Sequence, residues 1–123
     1  KKDLEFYSVR VPEKNTPATT QAIFSLLYAR LGEADKDWHF FQDAYLPNIN
    51  PPFRVIAETK GGDNPYFATG AGGVLQSVLM GFGGLEITDS GVKQIKRGTL
   101  PSHWKKLTLK GIGVKREKFL IQK

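Results

Sequence analysis

The sequence predicts an α+β fold in which helices come first and antiparallel strands follow. Apolar residues recur at helical spacing in three segments before residue 84, whereas short alternating segments with turn signals occupy residues 85 to 123. Helices grouped apart from strands are typical of α+β proteins, in contrast to the alternating order of α/β proteins. A length of 123 residues corresponds to one domain or part of one.

The first third of the chain predicts an extended segment followed by a helix. Residues 4 to 11 are predicted to be extended. Thr16 can cap a helix and Pro17 suits the first helical position, so a helix is predicted to run to about Leu31, with Gly32 as its stop. Its apolar residues cover much of the circumference. We therefore expect it to be buried and to need neighbours outside this chain.

A second helix is predicted from residue 34 to about residue 45. Trp38, Phe41 and Tyr45 fall on one face, whereas Asp37 is expected to face water. The short turn between the two helices predicts an αα-hairpin. Three prolines in the next seven residues forbid helix there and predict an irregular, rigid connection.

A third helix is predicted from residue 70 to about residue 82, where Gly83 and Gly84 end it. Three glycines in its first turn cost helix propensity. They favour either close packing against a neighbour or backbone N–H groups that face a ligand. Their spacing does not match the dinucleotide-binding fingerprint.

The last third of the chain predicts short antiparallel strands. Residues 85 to 88 and 92 to 95 predict a β-hairpin. Residues 104 to 110 predict a further strand, and residues 114 to 121 predict another hairpin or a bulged strand. The link before them is expected to insert Trp104 into the core.

The strongest candidate for catalysis is Glu58. It ends the apolar run from Phe53 to Ala57 and precedes a glycine-rich turn from Lys60 to Asn64. A carboxylate between an apolar strand and such a loop can be half-buried and still face a ligand, as a general base requires. The alternative interpretation is an ordinary surface carboxylate at a strand end, and these residues alone leave both interpretations open.

The charge distribution of the chain limits the kinds of molecule that it is expected to bind. Residues 1 to 89 carry eight Lys/Arg and eleven Asp/Glu, whereas residues 90 to 123 carry ten Lys/Arg and one Glu. A basic segment can bind nucleic acid or another polyanion, but these lysines alternate with apolar residues as a half-buried sheet requires. No nucleic-acid-binding motif accompanies them. We therefore predict a solvated strand face and no nucleic-acid partner.

Other features exclude further classes of protein. No run of about 20 apolar residues is present, so no membrane-spanning helix is predicted. The absence of cysteine excludes a disulfide framework and thiolate metal sites. His39 and His103 have no partner at metal-ligand spacing, so neither a metal site nor another cofactor is predicted. The first residue is Lys rather than Met, and we expect the chain to be part of a longer polypeptide.

The order of several short motifs resembles the glycoside hydrolase family 65 proteins, which are α-glucoside hydrolases and phosphorylases. The motifs are Phe6-Tyr-x-x-Arg10, Leu31-Gly-x-x-Asp35, Pro52-Phe-x-Val-x-x-Glu58, Asn64-Pro-Tyr-Phe-x-Thr-Gly-x-Gly-Gly73, Leu75-Gln and Gly81-Phe-Gly-Gly. The likeness covers nearly the whole chain and corresponds to the C-terminal portion of the family.

The resemblance implies a parent enzyme built on an (α/α)6 barrel. Residues 1–84 would supply the last helices and loops of this catalytic domain, and residues 85–123 a C-terminal antiparallel β domain. Enzymes of the family invert the anomeric configuration, because an acid protonates the glycosidic oxygen while phosphate or water attacks the opposite face. That acid would lie upstream of this chain, which alone is expected to be inactive.

Two features indicate the hydrolytic branch of the family. The phosphorylases carry a His- and Ser-containing phosphate loop, but the corresponding stretch from Pro12 to Pro17 contains neither residue, and Glu13 would repel a dianion. The hydrolytic branch carries a glutamate at the position of Glu58. Inversion with water needs such a second carboxylate about 6.5–9.5 Å from the acid.

The resemblance therefore implies that Glu58 is the catalytic base. Lys60, Asn64 and Tyr66 lie nearby in sequence and are candidates for substrate binding. The implied partners are an α-glucoside oligosaccharide and the remainder of the parent chain, and a homodimer stays open. Two alternatives remain, namely a phosphate-dependent disaccharide phosphorylase of the same family and a non-catalytic, basic, β-rich binding module.

Overall fold

The computed structural model of the protein describes residues 1–12 and 14–123. Over these ranges the architecture is α+β, as the sequence predicts, with four α-helices and three separate two-stranded antiparallel sheets. The helices are α1 (Lys2–Ser8), α2 (Ala18–Arg30), α3 (Ala34–Tyr45) and α4 (Ala68–Gln76), which continues as a π-helical segment (Ser77–Phe82). Within the same ranges, no helix combines the length and the apolar character needed to cross a membrane.

The six strands form three hairpins in chain order. They are β1 (Ile49–Asn50) with β2 (Val55–Ile56), β3 (Leu85–Thr88) with β4 (Gly91–Gln94), and β5 (Lys106–Ile112) with β6 (Glu117–Gln122). The last two hairpins, which the sequence analysis places in one C-terminal antiparallel β domain, form two separate sheets. The segment after β4 instead returns to the helical part, where Ile95 N donates to Gly84 O (3.2 Å).

The prediction of an extended segment at residues 4 to 11 is wrong, because α1 occupies most of it. Two acidic residues in the first turn, Asp3 and Glu5, favour a helix N-terminus through the helix dipole. The only buried residue of α1, Ser8, shares a 2.7 Å hydrogen bond with the hydroxyl of Tyr28. This tertiary contact fixes α1 to α2 and has no signature in the local sequence.

The predicted αα-hairpin is confirmed, and α2 packs antiparallel on α3 through a turn of three residues. Tyr28 on α2 stacks on Phe40 of α3 with ring centroids 5.4 Å apart. The predicted cap is wrong, since the Thr16 hydroxyl donates to Pro12 O rather than to the helix. Pro17 lies just before the helix in an extended conformation.

Helix α4 lies directly against α2, and its glycines make this approach possible. A Cβ atom added at Gly73 would lie 2.9 Å from the Cβ atom of Ala22, and one added at Gly70 would lie 2.9 Å from that of Ala18. The Ser77 hydroxyl then donates to Ala22 O at 2.8 Å. Of the two predicted reasons for the glycines, the structure supports close packing.

One hydrophobic core joins the helices to the strands. Its buried members are Phe41, Phe82, Leu85, Leu100, Leu109 and Ile121. Trp104 packs against this cluster, as predicted, with its ring centroid 5.2 Å from that of Phe82. The proposed boundary between residues 84 and 85 stays a prediction, and core residues lie on both sides of it.

Candidate functional site

The segment that carries Glu58 is held by a short β-hairpin. Ile49 pairs with Ile56, so the connection predicted to be irregular in fact contains a strand. The turn between the strands leaves Phe53 81% exposed, and only Val55–Ile56 of the predicted strand is extended. The hairpin therefore leads into Ala57, which is fully buried and directly precedes Glu58.

The backbone around Glu58 is tied to the start of α2. Glu58 O accepts a 2.8 Å hydrogen bond from Ala18 N, the first residue of that helix. Pro17 and Thr59 form an isolated antiparallel bridge beside this contact. The half-buried side chain of Glu58 is therefore attached on one side to the hairpin and on the other to a packed helix.

The side chain of Asn64 bridges the backbone and the carboxylate of Glu58. Glu58 N donates to Asn64 Oδ1 at 3.2 Å, and Asn64 Nδ2 donates to Glu58 Oε2 at 3.1 Å. Within the described residues, no hydrogen bond or ion pair reaches Oε1 of Glu58. The arrangement restrains the direction of the carboxylate and leaves one oxygen open to solvent or to a ligand.

The other two candidates, Lys60 and Tyr66, lie near Glu58 in sequence but form no hydrogen bond with it within the described residues. Lys60 is exposed and lines a cleft beside α3, whereas Glu58 does not line it. Tyr66 is 75% exposed with φ of 64°, which is uncommon for an aromatic residue and stores backbone strain. Within the described ranges, no hydrogen bond joins either side chain to Glu58. The structure therefore brings together Glu58 and Asn64 but not Lys60 and Tyr66.

The sequence analysis placed Asp37 in water, and the structure corrects this. Asp37 is fully buried between α3 and α2, and its Oδ1 accepts a 2.7 Å hydrogen bond from the Ser25 hydroxyl. Burial raises the pKa of Asp37 to about 7, and the Ser25 hydrogen bond opposes this shift.

The sequence analysis expected the charge of Glu13 to repel phosphate. Glu13 lies outside the described residues.

No family model matches the chain. The chain is 65% identical over 122 residues to a kojibiose hydrolase of Mucilaginibacter mallensis and 60% identical over 121 residues to a kojibiose hydrolase of Flavobacterium johnsoniae. These matches cover 99% and 98% of the chain, which spans 18% of the length of each relative.

A more distant relative is a protein-glucosylgalactosylhydroxylysine glucosidase of Danio rerio. It is 38% identical over 86 residues, which is 69% of this chain and 13% of the relative. All three proteins are named as hydrolases or glucosidases. The chain is therefore similar to a segment of much longer glycoside hydrolases, and the roles of Glu58, Lys60, Asn64 and Tyr66 stay predictions.

Proposed function

We propose that this chain is a C-terminal segment of an inverting glycoside hydrolase of family 65 that cleaves kojibiose or related α-linked gluco-oligosaccharides. The observation that carries the proposal is the 65% and 60% identity, over nearly the whole chain, to two proteins named kojibiose hydrolase. In this proposal residues 1–84 complete an (α/α)6 barrel, and residues 85–123 form a β appendage on it.

In the proposed reaction, Glu58 is the general base. Its ionised carboxylate takes a proton from a water molecule as the water oxygen attacks the anomeric carbon. An acid elsewhere in the parent chain protonates the glycosidic oxygen, which leaves with the second sugar. Attack from the face opposite the leaving group yields glucose of inverted configuration.

The geometry around Glu58 supports this role. A base must present one oxygen to water in a fixed direction, and Oε1 carries no hydrogen bond within the described residues while Asn64 holds Oε2. We assign Asn64 to the positioning of Glu58. Lys60, on the same turn, and Tyr66, just after it, are both exposed and are proposed to contact hydroxyl groups of the sugar.

The apolar surface of α2 supports a parent chain that continues around it. Ile23 and Leu27 on α2 and Leu31 directly after it recur every four residues, and each is at least 40% exposed. A helix that is apolar on all sides is normally buried, and the relatives extend over more than five times the length of this chain. We propose that the remainder of the parent polypeptide covers these apolar residues.

A basic binding surface is a second candidate function, because one observation favours it. On the exposed face of the β5–β6 hairpin, Lys110 lies directly opposite Lys118, a like-charge pair that destabilises a sheet. A polyanion would relieve that repulsion. Retention on heparin with a steep dependence on salt, lost in Lys110→Gln and Lys118→Gln variants, would support this function.

The reaction products test the principal proposal on the full-length protein. Kojibiose is incubated with and without phosphate, and the first glucose formed is examined by NMR before it mutarotates. We expect phosphate-independent release of β-glucose. Glucose 1-phosphate formed only with phosphate would assign the phosphorylase alternative, and α-glucose as the first product would overturn inversion.

A further inference from the structure

An apolar groove of about 420 Å³ lies where the turn of the β5–β6 hairpin meets the turn of the β3–β4 hairpin. The two hairpins belong to separate sheets but approach closely here, since a Cβ atom added at Gly113 would lie 3.2 Å from Cγ2 of Val92. Ile87, which is 75% exposed, lines the groove from β3, and Val114 lines it from the turn after β5. The groove therefore presents branched apolar side chains to solvent.

Val114 is the most exposed large apolar residue within the described ranges. It lies in the turn between β5 and β6, a position where glycine and polar residues are typical. Positive φ values at Gly113 (71°) and Arg116 (51°) define the shape of this turn. Because the side chain of Val114 is fully exposed, it adds no packing to this chain, and a contact with another surface would account for an apolar residue at this position.

The rim of the groove carries one charge of each sign. Lys115 is exposed and Glu117 is half-buried, and within the described residues no ion pair holds either side chain. Glu117 is the only acidic residue among residues 90 to 123, which carry ten Lys/Arg. The single acid of this basic segment therefore lies at the groove, beside the exposed valine.

We propose that this groove binds a second copy of the same protein in a two-fold symmetric dimer. A symmetric interface pairs a surface patch with itself, so the patch must supply both halves of every contact. Here a protruding valine lies beside an apolar recess, and a cation lies beside an anion. In the dimer, Val114 of each copy enters the groove of the other, and Lys115 pairs with the partner's Glu117.

The charges at the groove favour a second copy over other partners. An acidic partner would leave Glu117 facing a like charge, and a basic partner would face Lys115 in the same way. A second copy offers the opposite charge to each. An interface of the usual size buries about 800 Å² on each partner, so the groove would be its apolar centre and not its whole extent.

The first test is the molar mass of the full-length protein, measured by sedimentation equilibrium over a range of concentrations. We expect the wild-type protein to form a dimer. Val114→Asp brings a charge into the apolar recess, and it is expected to raise the dissociation constant of the dimer about tenfold or more. Since Val114 is fully exposed within this chain, the circular dichroism spectrum of the variant should match that of the wild-type protein.

An exchange of charges tests the pairing across the two-fold axis. Lys115→Glu and Glu117→Lys are each expected to weaken the dimer, because each places like charges opposite one another. The double variant keeps the net charge and exchanges the two positions, so it should restore the dimer. Lys106→Glu makes the same charge change at the opposite end of the hairpin and should leave the dissociation constant unchanged.

Each contrary outcome has a defined meaning. A wild-type protein that stays monomeric at every concentration would overturn the proposal. A dimer that Val114→Asp and both single charge variants leave unchanged would place the interface elsewhere and would overturn it as well. A monomeric wild-type protein that Val114→Asp destabilises would show that the remainder of the parent chain covers the groove. If Val114→Asp fails to fold, the charge variants decide.

The molar mass does not depend on catalysis. Failure of the wild-type protein to release glucose from kojibiose would overturn the proposed function and leave the proposed dimer untouched, and a monomeric protein that cleaves kojibiose would do the reverse.

Discussion

At the scale of single residues, the pairing of Asn64 with Glu58 makes a prediction about positioning. The Nδ2 group of Asn64 donates to Glu58 Oε2 and restrains the direction of the carboxylate. Asn64→Ala removes the donor, so kcat on kojibiose is expected to fall about tenfold or more with little change in KM. Asn64→Asp replaces the donor with an acceptor and is expected to lower kcat at least as much.

The split between kcat and KM separates positioning from substrate binding. If Asn64 instead binds the sugar, as the sequence analysis expected, its variants should mainly raise KM. A melting temperature equal to that of the wild-type protein would exclude a general structural defect. An unchanged kcat in both variants would contradict the assignment of Asn64.

The buried carboxyl group of Asp37 is expected to make the free energy of unfolding depend on pH. Its pKa is about 7 in the folded protein, against an ordinary value of 3.8, so the folded state binds the proton more tightly than the unfolded state. Its contribution to stability is therefore largest below pH 4 and is lost as the pH rises to about 7. Asp37→Asn is expected to flatten this dependence and to raise the free energy of unfolding at pH 8 by up to about 4 kcal/mol.

Thermal unfolding of the full-length protein at pH 4.5 and pH 8 measures this effect. Asp35→Asn, at an exposed position in the first turn of the same helix, is the matched control, and it should change both values by similar small amounts. If Asp37→Asn lowers the melting temperature equally at both pH values, the packing of this side chain, and not its ionisation, determines its effect on stability.

Environments that depend on local signals are predicted better than those that depend on tertiary contacts. The half-buried environment of Glu58 follows from an apolar run that ends at a glycine-rich turn, whereas the catalytic role of Glu58 stays a prediction. The burial of Asp37 could not be predicted, because its helical position looks solvent-exposed until α2 packs over it. Asn64 was likewise singled out because it lies near Glu58 in the sequence, but its hydrogen bond to the carboxylate is a contact that only the structure reveals.

At the scale of elements, two glycines of α4 make opposite predictions. Alanine is favoured over glycine in a helix by about 1 kcal/mol. A Cβ atom at Gly73 would lie 2.9 Å from Ala22, so Gly73→Ala is expected to separate α4 from α2 and to lower the melting temperature. A Cβ atom at Gly72 meets nothing within 4 Å, so Gly72→Ala is expected to keep or raise it.

Thermal unfolding of the two variants in the full-length protein checks this pair. Equal changes would mean that helix propensity, and not the contact between α2 and α4, determines the effect of these glycines. A larger residue at position 73, such as Val, should amplify the loss if steric contact is the cause.

Elements with strong periodicity are predicted correctly, and short ones are not. The boundaries of α3 and the pairing of β3 with β4 follow from apolar spacing and turn residues. The helix α1 was missed because its single buried residue, Ser8, is held by Tyr28. The strand β1 was missed because only two residues pair, between prolines that disfavour an α-helix but allow a short 3-10 helix (Leu46–Asn48) and a bridge.

At the scale of the whole molecule, two exposed surfaces stand out. The apolar side of α2 is exposed, and residues 85 to 123 carry ten of the 18 Lys/Arg residues. A longer parent explains the first surface, since the matched relatives are several times longer than this chain. The second is the half-solvated sheet face that the alternating lysines predict, with Leu107 and Leu109 turned inward.

The most direct test of the central claim is glucose release from kojibiose by the full-length Glu58→Gln variant. Glutamine keeps the size of the side chain but cannot accept a proton from water, so kcat is expected to fall about 10²- to 10⁴-fold with little change in KM. Asp63→Asn, at an exposed carboxylate in the same turn, is the matched control and should retain activity. Wild-type turnover by Glu58→Gln would contradict the account and make Glu58 an ordinary surface carboxylate.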